Sequence, residues 1–369
     1  MEAKIVIYFG PTREFIKGIE ETNLIQLRTL VNWIDKGIDK EEKNIFDNKK
    51  DLVCFSEGYA AITEGFLGEL PIILKHLVYN GYLQHCYIQN PPNFFLTGLK
   101  RVFNEDEIEI KQHEFEHVKK SQITDLFINY KDKILGQDEA IKNAISTIYP
   151  LTSKKHESPI VIMFYGPAGV GKTETGNFLS ERLFAGKLFR KQLSMIQAGE
   201  SVQYFLGDSI NKNSFGRDLL ERESNVILLD EFDKCNSIIY SAFYQMFDEG
   251  VYVDKNYTVN LKNTIIICTS NFESRQQMLS YLGEPIYSRF NGFIKFNPLS
   301  TEVKSQLISR IYEQQLKLWD EDEIKIIEES NLLYTLKEQA YKFSNVRNIR
   351  NEMKTLMSRK ICEDFFEEL

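Results

Sequence analysis

Residues 159–174 constrain the chain more than any other stretch. They begin with the apolar run 160–165, which is short enough for a buried strand. The run ends at a glycine, and residues 166–173 fit the pattern Gly-x-x-x-x-Gly-Lys-Thr, with Lys172 and Thr173 at its end. An amphipathic segment that is typical of a helix follows. A strand, a glycine-rich turn and a helix in this order predict a loop that binds the phosphates of a nucleotide.

The chemistry of phosphate binding explains these residue types. Glycines let successive backbone N–H groups point towards the phosphates, and the free N–H groups at the start of a helix add to them. Lys172 would contact the outer phosphates, and the Thr173 hydroxyl would bind Mg²⁺. The ligand that this loop predicts is therefore a nucleoside triphosphate with Mg²⁺. Its predicted binding residues in this loop are Gly166, Pro167, Ala168, Gly169, Val170, Gly171, Lys172, Thr173 and Glu174.

Two later apolar runs end in polar residues that suit ATP hydrolysis. Residues 225–229 read as a strand, and Asp230 and Glu231 follow directly. We expect Asp230 to hold Mg²⁺ and Glu231 to activate the attacking water as a general base. The run 264–268 reads as another buried strand and leads to Asn271, which we expect to position that water. Lys172, Glu231 and Asn271 are thus predicted catalytic residues.

Composition excludes several classes of function. The chain has 369 residues and a net charge of −8, which argues against a general binder of nucleic acids or anionic membranes. The sequence has no apolar run of membrane-spanning length and does not begin with a signal peptide. Five scattered cysteines, odd in number, fit a reducing compartment. We therefore expect a cytoplasmic protein without a membrane partner.

The pattern of apolar residues predicts three domains. Short strands at residues 4–9, 51–55 and 86–88 alternate with helical patterns, which indicates a small α/β domain over residues 1–120. One of these helical patterns runs from Ile16 to Ile34, and another covers residues 60–78. Residues 121–298 would form the ATPase domain. Residues 299–369 would form a helical lid, whose first helix is capped by Ser300 or Thr301.

A second short motif suggests a different function. Residues 113–117 read His-Glu-x-x-His, and on a helix His113 and His117 could bind zinc with Glu114 as general base. The flanks are charged rather than apolar, and Ile108 and Ile110 suggest the period of a strand. A charged, solvated segment is therefore the favoured interpretation, and a zinc peptidase remains the alternative.

The order of the motifs resembles that of AAA+ ATPases, and most closely the second ATPase domain of Clp-type unfoldases. It comprises Leu135-Gly136-Gln137, the phosphate loop, residues 228–231, residues 269–271 and Ser288-Arg289-Phe290. The resemblance covers about residues 122–369 and leaves the first 120 residues outside it. It implies a P-loop α/β fold, in which a three-layer sandwich with a parallel sheet precedes a C-terminal helical lid.

The resemblance also implies roles for further residues. Leu135, Gly136 and Gln137 fall where the family contacts adenine. Arg289 matches the arginine finger that reaches the γ-phosphate of a neighbouring subunit, which would neutralise charge in the transition state. Arg347 matches a lid residue that senses the γ-phosphate, with Arg350 as the near alternative. The family implies a homo-oligomer, by resemblance a hexamer.

The functional hypothesis from the sequence is an oligomeric ATPase that remodels a protein partner. One departure from the family matters, because the aromatic-Gly loop that grips a threaded polypeptide is not evident. Phe215-Gly216 is a candidate substitute, and an ordinary polar loop is the equal alternative. The rival hypothesis is an ATP-driven switch or scaffold that recruits an effector without unfolding it. Both need a protein client or effector, and neither needs nucleic acid.

Overall fold

Two five-stranded parallel sheets organise the part of the chain that the structure describes. The computed structural model describes residues 4–19, 23–36, 50–196 and 198–367. The first sheet and its helices comprise β1 (Ile5–Phe9), α1 (Thr12–Lys17), β2 (Leu24–Gln26), α2 (Leu27–Lys36), β3 (Lys50–Cys54), α3 (Glu64–Tyr79), β4 (Leu83–Gln89), α4 (Asn93–Val102) and β5 (Ile108–Gln112). The strand order is β2-β3-β4-β1-β5, and all neighbours are parallel. The strand–helix alternation expected near the start of the chain is therefore present.

Two details of this first region differ from the sequence prediction. The single helical pattern from Ile16 to Ile34 was wrong, because the short edge strand β2 interrupts it. Part of this pattern, residues 20–22, lies outside the described residues. The helix predicted over residues 60–78 is α3, and it begins at Glu64 rather than near residue 60. The Thr63 hydroxyl accepts a hydrogen bond from the backbone N–H of Phe66 and caps the helix there.

The middle of the chain forms the second sheet and the helices around it. Its elements are α5 (Lys120–Lys133), α6 (Asp138–Ile148), β6 (Ile160–Tyr165), α7 (Lys172–Phe184), β7 (Phe189–Gln192), α8 (Ala198–Leu206), α9 (Phe215–Leu220), β8 (Val226–Asp230), α10 (Tyr240–Asp248), β9 (Val251–Val253), β10 (Thr258–Asn260), β11 (Ile265–Ser270), α11 (Arg275–Leu282), α12 (Glu284–Tyr287) and β12 (Gly292–Lys295). The parallel strand order is β12-β6-β11-β8-β7, and β9 and β10 form a separate antiparallel hairpin.

Alternating residues of the central strands face two different cores. In β6, Ile160 and Ile162 pack with the helices that precede the strand, whereas Val161 and Met163 pack with residues of α9 and α10. Both faces of a parallel sheet are covered in this way, which explains why every residue of β6 is buried. This is the three-layer α/β sandwich that the resemblance implied.

Four helices follow the second sheet, namely α13 (Thr301–Leu316), α14 (Glu321–Glu329), α15 (Leu332–Glu338) and α16 (Val346–Glu367). They share a core of their own that includes Ile308, Ile349 and Met353. Ser300 caps α13 by accepting a hydrogen bond from the backbone N–H of Val303 at 3.2 Å. In the described part of the chain, no helix is long and apolar enough to cross a membrane.

A carboxylate joins the two sheets. Glu221, which follows α9, accepts hydrogen bonds from the Thr12 N–H and hydroxyl at 2.8 and 2.9 Å and from the Ser56 hydroxyl at 2.8 Å. The side-chain amides of Gln89 and Asn90 donate to it at 2.8 and 2.9 Å. Because these four residues follow or end β1, β3 and β4, Glu221 closes the carboxyl edge of the first sheet.

A loop of the second region also enters the first core. Ile210, between α8 and α9, is 2% exposed and belongs to the same apolar cluster as Ile5 and Leu70. Its backbone N–H donates to the Glu64 carboxylate at 3.2 Å. The two sheets therefore meet through an apolar contact as well as through Glu221.

Candidate nucleotide site

The phosphate loop connects β6 to α7 in a conformation that requires glycine. Gly166 has a φ of +128°, and a Cβ at this position would lie 2.2 Å from the carbonyl oxygen of Phe296. Gly171 has a φ of +109° and precedes the first residue of α7, and a Cβ there would meet nothing within 4 Å. The loop is thus packed against the protein at its start and open at its end, where the helix N-terminus is free to bind an anion.

Lys172 is the first residue of α7, and its side chain contacts the start of this loop. Its ammonium group donates hydrogen bonds to the Gly166 and Pro167 carbonyl oxygens at 2.5 and 2.9 Å and to the Asn271 side-chain oxygen at 3.1 Å. The residue is 8% exposed, and burial lowers the pKa of Lys172 to about 8. Since the acceptors in these hydrogen bonds are neutral, a phosphate group would be a better partner for this cation.

Asp230 is the last residue of β8 and Glu231 follows it; β8 is a neighbour of β11, which in turn lies beside β6. The Thr269 hydroxyl donates a hydrogen bond to Asp230 and accepts one from the Glu231 backbone N–H at 3.0 Å, which fixes the two acidic residues relative to β11. Glu231 has a φ of +58°, so the chain turns sharply directly after the strand. Its carboxylate accepts hydrogen bonds from Ser194 and, at 3.2 Å, from Gln192.

These residues line one cleft of about 570 Å³ between the second sheet and the C-terminal helices. Of the predicted site residues, the cleft is lined by Leu135, Ala168, Gly169, Val170, Gly171, Lys172, Thr173, Glu174, Asp230, Glu231, Asn271 and Arg347. The near alternative Arg350 also lines it, so both candidates from the helical part face the cleft. A hydrogen bond of 3.2 Å from the Val346 N–H to the Gly169 carbonyl oxygen holds the start of α16 against the phosphate loop.

Gly136 and Gln137 lie behind the cleft rather than on its surface. The Gln137 side chain is 3% exposed and donates to the Asn297 carbonyl oxygen at 2.8 Å, while it accepts from the Asn297 N–H at 3.1 Å. It also donates to the Val170 carbonyl oxygen at 3.3 Å. Gln137 therefore braces the phosphate loop, whereas Leu135 remains the member of this predicted trio that faces the ligand space.

Arg289 lies apart from the cleft of its own chain. Its Nε donates to the Asp248 carboxylate at 2.8 Å, and its guanidinium lies 4.4 Å from the centre of the Tyr244 ring. It also donates to the Pro285 carbonyl oxygen. The structure thus does not bring Arg289 together with Lys172, and its role as a finger for a neighbouring subunit stays a prediction.

Two arginines that line the cleft were not predicted from the sequence. Arg190 on β7 donates from Nε to the Asp230 carboxylate at 3.0 Å. Arg310 on α13 lines the cleft and donates to the carbonyl oxygens of Asp132 and Lys131 at 2.8 and 3.1 Å. Neither arginine belongs to a sequence motif, so only its position beside the cleft in the folded chain reveals it.

Two other candidates change in the light of the structure. Phe215 is fully buried in the apolar core behind β8, so the hypothesis that Phe215-Gly216 grips a client is wrong for this conformation. Residues 113–119 have no regular secondary structure, so His113 and His117 do not form the helical pair that zinc would need. Among the described residues, no group of three or more His, Cys, Asp or Glu side chains could hold a metal ion.

Comparison with known proteins identifies this region. Residues 157–317 match the family model of the AAA domain (Cdc48 subfamily). This region therefore resembles the ATPase domain of AAA+ proteins. Its match to Clp proteins confirms the resemblance to the second ATPase domain of Clp-type unfoldases. AAA+ domains bind and in general hydrolyse ATP.

The similar curated proteins are longer than this chain. The ATP-dependent Clp protease ATP-binding subunit ClpL of Staphylococcus aureus (strain bovine RF122 / ET3-1) is 29% identical over 203 residues, which cover 48% of this chain and 29% of that protein. Chaperone protein ClpB of Malacoplasma penetrans is 27% identical over 243 residues, or 60% and 34% of the two chains. The chain therefore matches about a third of the length of these relatives.

A solved structure supports the same fold. The S. cerevisiae Hsp104-ADP complex superposes with a TM-score of 0.53 at 18% sequence identity. The superposition covers 67% of this chain and 40% of that one. The likeness confirms the AAA+ α/β sandwich with its helical C-terminal part.

Proposed function

We propose that the chain is an Mg²⁺-dependent ATP hydrolase that works as an oligomer and uses ATP to remodel a protein partner. The convergence of Lys172, Asp230, Glu231 and Asn271 at one sheet edge, facing Arg347 of α16, supports this proposal most directly. A cation for the phosphates, oxygen ligands for a metal ion and a carboxylate base are the groups that ATP hydrolysis requires.

The residues present fit Mg²⁺. Thr173, in the first turn of α7, and Asp230 line the same cleft and offer the oxygen ligands that this ion prefers. The Ser270 hydroxyl is buried beside them and has no hydrogen-bond partner among the described residues. When bound, Mg²⁺ would neutralise charge on the outer phosphates. Arg190 would then have to leave the Asp230 carboxylate, or share it.

The chain's own residues would carry the remaining steps. Lys172 would exchange its carbonyl partners for phosphate oxygens, and Asn271, already within 3.1 Å of that ammonium group, would orient the attacking water. Glu231 would accept the proton of that water. Its hydrogen bonds to Gln192 and Ser194 hold the carboxylate at the cleft surface. Arg347 or Arg350 would report the state of the γ-phosphate to the helical part.

The inference that the chain assembles and remodels a client is supported by the names of the similar proteins. The similar proteins are a chaperone and an ATP-binding subunit of a protease. Arg289, outside its own cleft, is available to a neighbouring subunit, and we infer a hexameric homo-oligomer. We further infer that residues 121–298 are the ATPase domain, that residues 299–369 are its lid, and that residues 1–120 select the partner.

The Glu231→Gln variant tests this proposal. Loss of the base should lower ATP hydrolysis by at least about a hundredfold and leave ATP binding within about threefold, because the amide keeps the shape of the carboxylate. Glu273→Gln, on the exposed start of the next loop, is the matched control and should hydrolyse ATP normally. In ATP the Glu231→Gln variant should accumulate as the oligomer and retain its client.

Three results would count against parts of the proposal. Hydrolysis by Glu231→Gln at the parent rate would remove Glu231 from the role of base. A monomer under all nucleotide conditions would contradict the shared site at Arg289. A trapped oligomer without any retained protein would contradict client remodelling and leave the ATPase assignment intact.

A further inference from the structure

A second cavity lies between the two sheets and contains a buried cation. It has a volume of about 310 Å³ and shares no lining residue with the nucleotide cleft. Phe9 and Gly10 at the end of β1 and His113 after β5 form one wall. Arg222 and the β9–β10 hairpin form the opposite wall. Its position outside the carboxyl ends of parallel strands is where open α/β sheets commonly bind ligands.

Arg222 has no counter-ion in the described part of the chain. The residue is 9% exposed, and its Nη atoms donate to the Leu219 and Asn260 carbonyl oxygens at 2.8 and 3.1 Å and to the Asn225 side-chain oxygen at 3.4 Å. These acceptors are all neutral, and the buried Nε has no hydrogen-bond partner. A buried guanidinium without a carboxylate is costly, because its hydration is lost and not replaced by an ion pair.

The neighbouring acid cannot serve as that counter-ion. Glu221 precedes Arg222, but its carboxylate accepts hydrogen bonds from Thr12, Ser56, Gln89 and Asn90 at the edge of the first sheet. Burial lowers the pKa of Arg222 to about 9, so the side chain still carries its charge at neutral pH. The cavity therefore has a fixed positive charge in its wall.

The other lining residues suit an anion with an apolar body. Lys262 also lines the cavity, but its ammonium group pairs with the Glu157 carboxylate at 2.6 Å, so Arg222 is the main charge available to an anion. No described lining residue is acidic. Phe115 lies 4.9 Å from the Arg222 guanidinium, measured from the ring centre, and Phe9 and Val259 add apolar surface. His113 lines the same cavity and can donate a ring N–H to the anion. Burial lowers the pKa of His113, with Glu14 opposing the shift and Arg222 adding to it.

From this juxtaposition we propose that the cavity binds a small organic anion, with its carboxylate or phosphate on Arg222 and its apolar body against Phe9 and Phe115. The ligand need not be a nucleotide, and the site is independent of ATP binding at Lys172. Its volume is at the lower end for ligand pockets, which limits the ligand to about the size of one substituted ring.

Calorimetric titration of the full chain with benzoate, phenyl phosphate and inorganic phosphate tests the proposal. We expect saturable binding of benzoate or phenyl phosphate, and the stronger of the two identifies the anionic group. Inorganic phosphate should bind more weakly, because it lacks the apolar body. The Lys172→Met variant should bind the preferred probe as the parent does while losing ATP. Absence of saturable binding by all three probes at millimolar concentration would overturn the proposal.

Substitution of Arg222 tests whether this side chain binds the anion. Arg222→Met should weaken the preferred probe by at least about tenfold, because a charged hydrogen bond is lost, and should still bind ATP. Arg101→Met, at an exposed position on α4 away from the cavity, is the matched control. Binding that survives Arg222→Met in a folded protein would place the anion elsewhere and overturn the proposal.

A second pair of variants covers the case in which Arg222→Met fails to fold. Thr258 is exposed on β10 and lines the cavity. Thr258→Glu should add a carboxylate that competes for Arg222 and should weaken the probe by about tenfold. Thr258→Gln has nearly the same size without the charge and should bind within about threefold of the parent. Equal binding by these two variants would contradict an electrostatic site and overturn the proposal.

Discussion

The carboxyl edges of the two parallel sheets both carry polar groups but are used differently. At the second sheet, the groups that end or follow β6, β8 and β11 face a cleft of about 570 Å³. At the first sheet, the groups that end or follow β1, β3 and β4 turn inwards onto the Glu221 carboxylate. An open edge leaves its donors for a ligand, whereas a closed edge uses them to hold two parts of the chain together.

The charges at the two edges show the same contrast. Lys172 at the open edge is a buried cation with neutral hydrogen-bond acceptors, which makes it ready for a phosphate. Glu221 at the closed edge is an anion whose donors already satisfy it. We therefore expect substitutions at the open edge to change ligand affinity, and substitutions at the closed edge to change stability.

The largest effect is expected from Lys172→Met at the open edge. The ammonium group would make charged hydrogen bonds to the outer phosphates, so its loss should lower ATP affinity by roughly a hundredfold or more. Thermal stability should stay equal or rise, because the cost of burying the cation disappears. Titration calorimetry with ATP and thermal melts measure the two quantities.

Lys187→Met, at an exposed position after α7, is the control for this variant and should change neither quantity. If Lys172→Met lost thermal stability but kept its ATP affinity, the open edge would stabilise the fold, as the closed edge of the first sheet does.

A substantial loss of stability is expected from Glu221→Ala at the closed edge. The side chains of Gln89 and Asn90 are fully buried and would each lose an acceptor, as would Thr12 and Ser56. Unsatisfied buried donors cost about 1–3 kcal/mol each, and relaxation recovers part of this, so we expect a loss of about 3 kcal/mol. Hydrogen exchange of residues 83–90 should rise, and ATP affinity should stay within about threefold.

Two variants sharpen this result. Glu221→Gln keeps an acceptor oxygen and should lose less stability than Glu221→Ala. Glu223→Ala removes an exposed acid close in sequence and should have little effect. An equal loss in Glu223→Ala would show that the net charge of this loop, rather than the Glu221 hydrogen bonds, holds the two sheets together.

The same contrast explains what the sequence could and could not predict. Lys172, Asp230 and Glu231 at the open edge follow from local patterns, because each ends or follows an apolar run or lies in the glycine-rich motif, whereas Arg190 beside them belongs to no motif. The closed edge depends on Gln89 and Asn90 meeting Glu221, more than 130 residues away in the chain. Each of these is an ordinary polar residue until the fold brings them together.

Tertiary contacts also show that two residues have environments different from those that the sequence predicted. Gln137 stands in a motif that implies adenine contact, yet its amide is fully engaged by the backbone of Asn297 and Val170. Phe215 lies in an apparently polar loop, yet it is the centre of an aromatic cluster with Phe205, Phe243 and Tyr252. Burial, which the local sequence does not encode, decided both.

The smallest effect is expected from pH at the open edge. Burial lowers the pKa of Lys172 to about 8, and a bound phosphate would raise it again. Below about pH 8 the free protein already carries the proton. Above it, binding must take up a proton, so ATP affinity should fall by up to about tenfold per pH unit between about pH 8 and the pKa in the complex. Calorimetry in buffers of different ionisation enthalpy would detect this proton uptake.

Lys172→Arg is the matched variant for the pH experiment. Its guanidinium stays protonated throughout this range, so its ATP affinity, even if lower overall, should lose the decline above about pH 8. The exposed edge of the cleft contains further titratable groups, but the variant keeps all of them and isolates the contribution of Lys172. If the ATP affinity of the parent and of Lys172→Arg declined equally above about pH 8, the pH dependence would belong to another group. Lys172 would then be protonated over the whole pH range before it binds phosphate.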